Sequence, residues 1–185
     1  HEGHELYDWV WVDNLTLLQD QSMDAIMLEL VARNPSRNRW VPDQHEYLVN
    51  QNRLSTTVRN FKKLPMNVGF TAHVMKSEDR DGKILYLPML QGGKGELSQK
   101  ICGLCNMVGY LAQRTKEGKS RRVLYIEKKG RYLAKGRYPG MQSELEDPSM
   151  PLLLDAMAAT VAKPTATKRR ASSTTRTTAR RRTAK

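Results

Sequence analysis

The spacing of apolar residues along the chain changes period several times. Trp9, Val10, Trp11 and Val12 form an unbroken apolar run that stops at Asp13. It reads as a short buried strand leading into a helix, because Asp13, Asn14 and Thr16 are residue types that favour helix starts. Beyond it, Ile26, Met27, Leu30 and Val31 recur at helical intervals, and Pro35 marks the end. A second helix is expected from about Gln44 to Leu64, with Leu48, Leu54, Val58, Phe61 and Leu64 on one broad face and Pro65 as the stop. "NVGFTAHV" predicts a short buried strand over Asn67 to His73, "KSEDRDGK" a turn, and "ILYLPML" another short strand. A helix follows the loop "QGGKG" and runs to about Cys105. "VGYLAQR" and "RRVLYIEKK" flank the turn "TKEGKS" as a hairpin, and "MPLLLDAMAATVA" suits a short terminal helix. A strand, a long helical crossover and another apolar strand together predict an α/β fold with a parallel sheet and an antiparallel extension.

In such sheets ligands bind outside the carboxyl ends of the strands. Asp13 ends the first apolar strand and His73 the second, so parallel neighbours would bring both side chains to one edge. Taken alone, His73 reads rather as a polar loop start, and Asp13 as the point where a strand runs into a capped helix. "GGKG" invites comparison with the phosphate-binding pattern G-x-x-x-x-G-K-[ST], which would need Gly at position 88 and Ser or Thr at 95. Pro88 and Gly95 stand there instead. Lys94 then belongs to a cationic loop suited to nucleic-acid backbone, or to a plain surface loop. Lys135 and Arg137 in "LAKGRY" are two residues apart, so on extended chain both point to one side and can reach one anion; a solvated basic edge has the same pattern.

Charge narrows the field of partners. The 185 residues carry a net charge of +12, yet nine of the 31 Lys and Arg lie after Asp155, where there is no Asp or Glu. The remainder holds 22 basic and 19 acidic residues, a net of +3. Residues 163–185, "KPTATKRRASSTTRTTARRRTAK", have too little apolar surface to fold and are expected to be disordered. Their cations, among them Lys168, Arg169, Arg170, Arg176, Arg180, Arg181 and Arg182, suit phosphate contacts that carry no sequence information. No apolar run approaches the roughly 20 residues of a membrane span, and the polar, acidic start "HEGHELYD" is not a signal peptide. The lone C-x-x-C of Cys102 and Cys105 lacks the further ligands of a zinc site, so both are expected reduced and structural in a cytosolic compartment. "HEGHE" is not H-E-x-x-H and sits on an untethered terminus.

Taken in order, "DWVWVDNLT", "NVGFTAH", "LPMLQGGKGELSQKICGLCNMVGYL" and "RRVLYIEKKGRYLAKGR" resemble the later part of RecA-like phage P-loop ATPases, the AAA-type nucleotide-binding proteins related to single-strand-annealing recombinases. The resemblance spans about Tyr7 to Met141. It implies a partial RecA-like core over residues 1–141, then a linker and short helix over 142–162, with Gln142 to Asp147 as acidic linker. Asp13 would be the Walker B carboxylate, acting on Mg²⁺ through water. His73 would be a sensor of the γ-phosphate at the next strand end, and Lys94 part of a DNA-facing loop. Lys135 and Arg137 would reach across a subunit boundary to a neighbour's ATP, as an arginine finger does.

The same resemblance implies ATP and Mg²⁺ as cofactors, single-stranded DNA as a partner, a homo-oligomer, no membrane, and the cytoplasm of a bacterial host. Because the Walker A loop of such proteins lies well upstream of Walker B, the expectation is an N-terminally incomplete ATPase core. The function implied is a DNA-dependent ATPase of phage recombination or repair. The alternative is a non-catalytic nucleic-acid-binding or assembly module on the same fold.

Overall fold

A computed structural model describes residues 7–78, 81–116, 118–128 and 130–161. β1 (Trp9–Val12) pairs in parallel with β2 (Asn67–Phe70), Trp9 opposite Asn67 and Val12 opposite Phe70. A parallel pair needs a long crossover, and two helices supply it: α1 (Leu15–Arg33) and α2 (Gln44–Phe61). The Asn14 side chain caps α1, its Oδ1 accepting the Leu17 N–H at 2.9 Å. At the start of α2, the Glu46 carboxylate accepts the Asp43 N–H at 2.5 Å. Arg37 binds both acids, at 2.7 Å to Asp43 and 2.9 Å to Glu46. This pairing lets Glu46 lie buried without an orphaned charge.

The core beneath the parallel pair is built from Leu15, Leu54, Val58, Leu90, Leu97 and Ile101, with Val12, Phe70 and Ala72 packed on it. The broad apolar face expected of α2 is narrower than its sequence suggests. Leu54 and Val58 are buried, but Leu48 and Leu64 are exposed. Asn50 lies two residues from Leu48, so it faces the opposite side of the helix and takes the inward position. The helix ends at Phe61, which leaves Leu64 in the turn beyond it.

Three further elements differ from expectation. The strand expected to run to His73 ends at Phe70, so His73 sits in the short connection to β3 (Val74–Glu78). The first three residues of the expected turn, Lys76 to Glu78, belong instead to β3. It forms an antiparallel hairpin with β4 (Ile84–Pro88), Val74 opposite Pro88 and Glu78 opposite Ile84. The acidic segment expected as a linker contains β9 (Glu144–Glu146), a third strand hydrogen-bonded to β7.

After β4, a short 3₁₀ turn at Gly93–Gly95 leads into α3 (Glu96–Leu104). β5 (Met107–Val108) pairs antiparallel with β8 (Lys135–Gly136). The predicted hairpin is present as β6 (Tyr110–Lys116) and β7 (Lys119–Tyr125), with Tyr110 opposite Tyr125. α4 (Met150–Val161) covers this sheet through a second core of Ile126, Leu145 and Leu153, edged by Met107, Met141, Met150 and Met157. The whole is a mixed α/β fold of one parallel pair with antiparallel additions, compatible with part of a P-loop NTPase fold. No helix among the described residues is long and apolar enough to cross a membrane. The tail cations from Lys168 to Arg182 lie outside the described residues.

Candidate functional site

The backbone ladder of β1 and β2 continues one step past the strands. The Thr71 N–H donates to Val12 O at 3.1 Å, and the Leu15 N–H donates to Thr71 O at 2.9 Å. Those bonds carry the pairing past the strands, and Asp13 and Thr71 emerge side by side at the carboxyl edge. The Thr71 hydroxyl donates to the Asp13 carboxylate, and the Asp13–Asn14 peptide is cis. Asp13 is exposed. Next to it, Asn14 Nδ2 and His73 Nε2 are 3.4 Å apart. The edge therefore gathers a carboxylate, a hydroxyl, an amide and an imidazole from two parallel strand ends, the position where open α/β sheets bind ligands.

Buried polar side chains of α1 fix this edge from below. Thr16, 7% exposed, accepts the His73 N–H at 3.1 Å and donates to Met89 O at 2.9 Å. His73 O in turn accepts the Met89 N–H at 2.7 Å. One turn further along α1, Gln19 is 1% exposed and grips the Gln91 backbone with both ends of its amide. Its Nε2 donates to Gln91 O at 2.9 Å, and its Oε1 accepts the Gln91 N–H at 2.7 Å. Asn50 of α2 donates to Gln19 O at 3.0 Å, and Ser98 of α3 donates to Pro88 O at 2.7 Å.

The glycine loop begins where this network ends. Gly95 has φ +82°, and a Cβ there would lie 2.4 Å from Leu87 Cδ1. The Ser or Thr that a Walker A pattern requires at position 95 would be strained by this positive φ and would have to push the Leu87 side chain aside. Lys94 lies within the 3₁₀ turn, and its side chain is not among those described.

Lys135 of β8 is held against α3 rather than at the Asp13 edge. Lys135 Nζ donates to Gly103 O at 3.2 Å, where it meets the carbonyl-rich end of α3. Arg137 is exposed. Close to Lys135, Cys102 and Cys105 are both free thiols. Burial, reinforced by neighbouring Cys105 and opposed by Lys135, pushes Cys102 up to about 12. Burial raises Cys105 as well, against the pull of Lys135 and Lys62. Such thiols are inert rather than nucleophilic.

Among the described residues no cluster of three or more His, Cys, Asp or Glu side chains is arranged to hold a metal. A magnesium ion keeps most of its waters and takes one carboxylate plus substrate phosphates rather than an all-protein cage. Asp13, with Thr71 orienting it, is an oxygen donor of the kind such an ion takes. Of the site residues, Asp13 and His73 stand out in the sequence because each follows an apolar run. Thr71, Gln19 and Gln91 do not, since their partners lie 58 and 72 residues away.

The chain matches the family described as AAA domain over residues 1–138, and it belongs to that family. Membership assigns it to nucleotide-binding, ATPase-like proteins, a family that generally uses ATP and Mg²⁺. No curated protein matches the chain, and no solved structure does.

Proposed function

We propose that this chain carries the Walker B and sensor half of an ATP-hydrolysing site in a DNA-dependent ATPase of phage recombination or repair. The observation that carries the reading is the pairing of Asp13 with Thr71 beside the Asn14–His73 contact, all at the carboxyl edge of the parallel strands. When bound, Mg²⁺ would neutralise charge on the phosphate oxygens. Asp13 would hold the ion's water shell, and Thr71 fixes the rotamer in which it does so. His73 lies at the same edge with Nε2 against Asn14 Nδ2, and to donate to a terminal phosphate it would exchange that contact for the phosphate oxygen. Lys135 and Arg137 act on the nucleotide of a neighbouring subunit in a homo-oligomer. For Lys135 this means leaving its bond to Gly103 O.

The basic tail and the loop at Lys94 supply contacts to single-stranded DNA. The domain limits at residues 141 and 162, and a site of action in bacterial cytoplasm, belong to the same reading. The test is ATP binding and phosphate release by the full-length protein, with and without Mg²⁺ and with and without single-stranded DNA. The expected result is Mg²⁺-dependent binding and hydrolysis that DNA accelerates. DNA binding without any Mg²⁺-dependent nucleotide binding would replace this reading with the non-catalytic assembly module.

A further inference from the structure

The connection between α1 and α2 displays apolar side chains to solvent. Trp40 is 76% exposed, and Val41, Tyr47 and Leu48, close to it in sequence, are exposed as well. The loop that carries Trp40 is tied down by its own polar groups. The Arg37 N–H donates to Asn34 O at 3.0 Å, and the Trp40 N–H donates to Asn38 Oδ1 at 2.9 Å. Arg37 anchors the far end through Asp43 and Glu46. An indole held out on an ordered loop loses little freedom on binding, and Trp and Arg are the residues on which interfaces most depend.

The charges around Trp40 say what kind of surface it suits. The Arg39 guanidinium lies 4.8 Å from the centre of the Trp40 ring. Arg37 is taken up by the two acids, whereas Arg33 and Arg39, both exposed, have no ion pair among the described residues. The stretch is therefore apolar with cations to spare. Val41 and Leu48 offer no ring for a nucleobase to stack on, and Arg39 already lies against one face of the indole. A protein surface that is both apolar and acidic complements this stretch better than a nucleic acid does.

The chain itself carries such a surface. On α1, Leu17, Asp20, Asp24 and Leu28 follow one another at intervals of three or four residues and so share one stripe of the helix. All four are exposed. The outer stripe of a surface helix is ordinarily polar, but here two leucines bracket two carboxylates. α1 has no Lys or Arg before Arg33 to neutralise them. Asp20 accepts a long bond, 3.4 Å, from Gln91 Nε2, and Asp24 has no ion pair among the described residues.

We propose that the Arg39–Trp40–Val41 loop of one copy of this chain docks on the Leu17–Asp20–Asp24–Leu28 stripe of α1 in a second copy. Trp40 and Val41 cover the leucines, and Arg39 meets the aspartates. Because the two patches differ, the contact is head-to-tail, each copy giving its loop to one neighbour and its α1 to the other. The inference rests on the homo-oligomer of the reading above, and not on its nucleotide chemistry.

Sedimentation velocity of the full-length protein over a range of concentrations, without nucleotide or DNA, tests it, with thermal unfolding of the same samples as the check on folding. Wild type should associate as concentration rises. Trp40→Ala and Arg39→Glu should each weaken association by about thirtyfold or more, the loss expected at an interface hot spot. Asp24→Lys should weaken it too. The double variant Arg39→Glu, Asp24→Lys should associate more tightly than either single variant, because reversing both charges restores the pair. Neither a folding defect nor a nucleic-acid site gives that rescue.

A wild type that stays monomeric overturns the proposal, as do folded single variants that assemble like wild type or a double variant no better than the singles. An Arg39→Glu variant that assembles normally but loses affinity for a labelled oligo(dT) overturns it as well, and makes the loop a nucleic-acid contact. An assembling wild type with the charge-reversal rescue but no MgATP binding removes the nucleotide reading and leaves this contact standing.

Discussion

Replacing Asp13 with Asn tests the centre of the site, because the structure separates what the change does to folding from what it does to chemistry. The side chains are nearly isosteric, and Asp13 is exposed. Its one described hydrogen bond is from the Thr71 hydroxyl, which can also donate to an amide oxygen. What is lost in the folded state is the charge assistance of that bond, on the order of 1 kcal/mol. For a chain of this size that lowers Tm by about 2–4 °C. Removing a group that stabilises transition-state charge costs far more, about 2.7–4 kcal/mol or 10²–10³ in kcat. Phosphate release by the full-length protein at saturating ATP and Mg²⁺, with thermal unfolding followed on the same samples, reads both quantities. Expected is a drop of at least about a hundredfold in turnover with only a small change in Tm. Thr71→Val, which leaves the carboxylate but frees its rotamer, should fall between, with a loss of about 10–100-fold. Asp13→Asn turnover within a few-fold of wild type, in a folded protein, would refute the reasoning.

Other measurements address the remaining elements. Arg137→Ala and Lys135→Ala should each reduce ATPase activity mainly in the assembled oligomer, and mixing with wild-type subunits should restore part of it; absence of any rescue argues against action in trans. Lys135→Ala should also lower Tm slightly, because it removes the cation from Gly103 O at the end of α3. Deleting residues 163–185 should weaken DNA binding equally for all sequences and flatten its salt dependence, which titrations between roughly 50 and 200 mM salt will read. Burial holds the folded Cys102 thiol at about 12, above its ordinary value of 9.0, so the unfolded chain loses this proton first. The Cys102 contribution to stability is therefore fully present below about pH 9 and is lost as pH rises toward 12. Urea titrations of wild type and Cys102→Ala across that range check it, with the wild type alone showing this part of the decline.

How much of this was legible in the sequence depends on how far apart the interacting residues lie. β1, α1 and the β6–β7 hairpin follow from local signals: an apolar run, the Asn14 cap, and a turn between alternating segments. β3 was hidden because "VMKSE" exposes every second residue and is polar at its end, which is how a turn also looks. β9 was hidden because "ELE" buries only Leu145 while its acids face cations on β6 and β7, as Glu144 does with Arg114 and Glu146 with Arg121. Asp13 and His73 were found as strand-end residues, although His73 lies beyond its strand. Thr16 was legible only as a helix-start residue, and Gln19 not at all. A polar residue on a helix is normally read as exposed, and nothing local reveals that Met89 and Gln91 will satisfy these two.

The parallel pairing of β1 and β2 also sets when the site comes into being. Asp13 and Thr71 are 58 residues apart, whereas Arg114 and Tyr125, which bond across the β6–β7 hairpin, are 11 apart. Closing the longer loop costs about 1.5 kcal/mol more in chain entropy, before any contact rewards it. Folding rates fall as such distant contacts come to dominate. The hairpin and the α1–α2 pair can form from neighbouring sequence, but the strand ends can meet only after the crossover has closed. The carboxylate and the imidazole are therefore assembled among the last contacts to form, so a partly folded chain does not display the site.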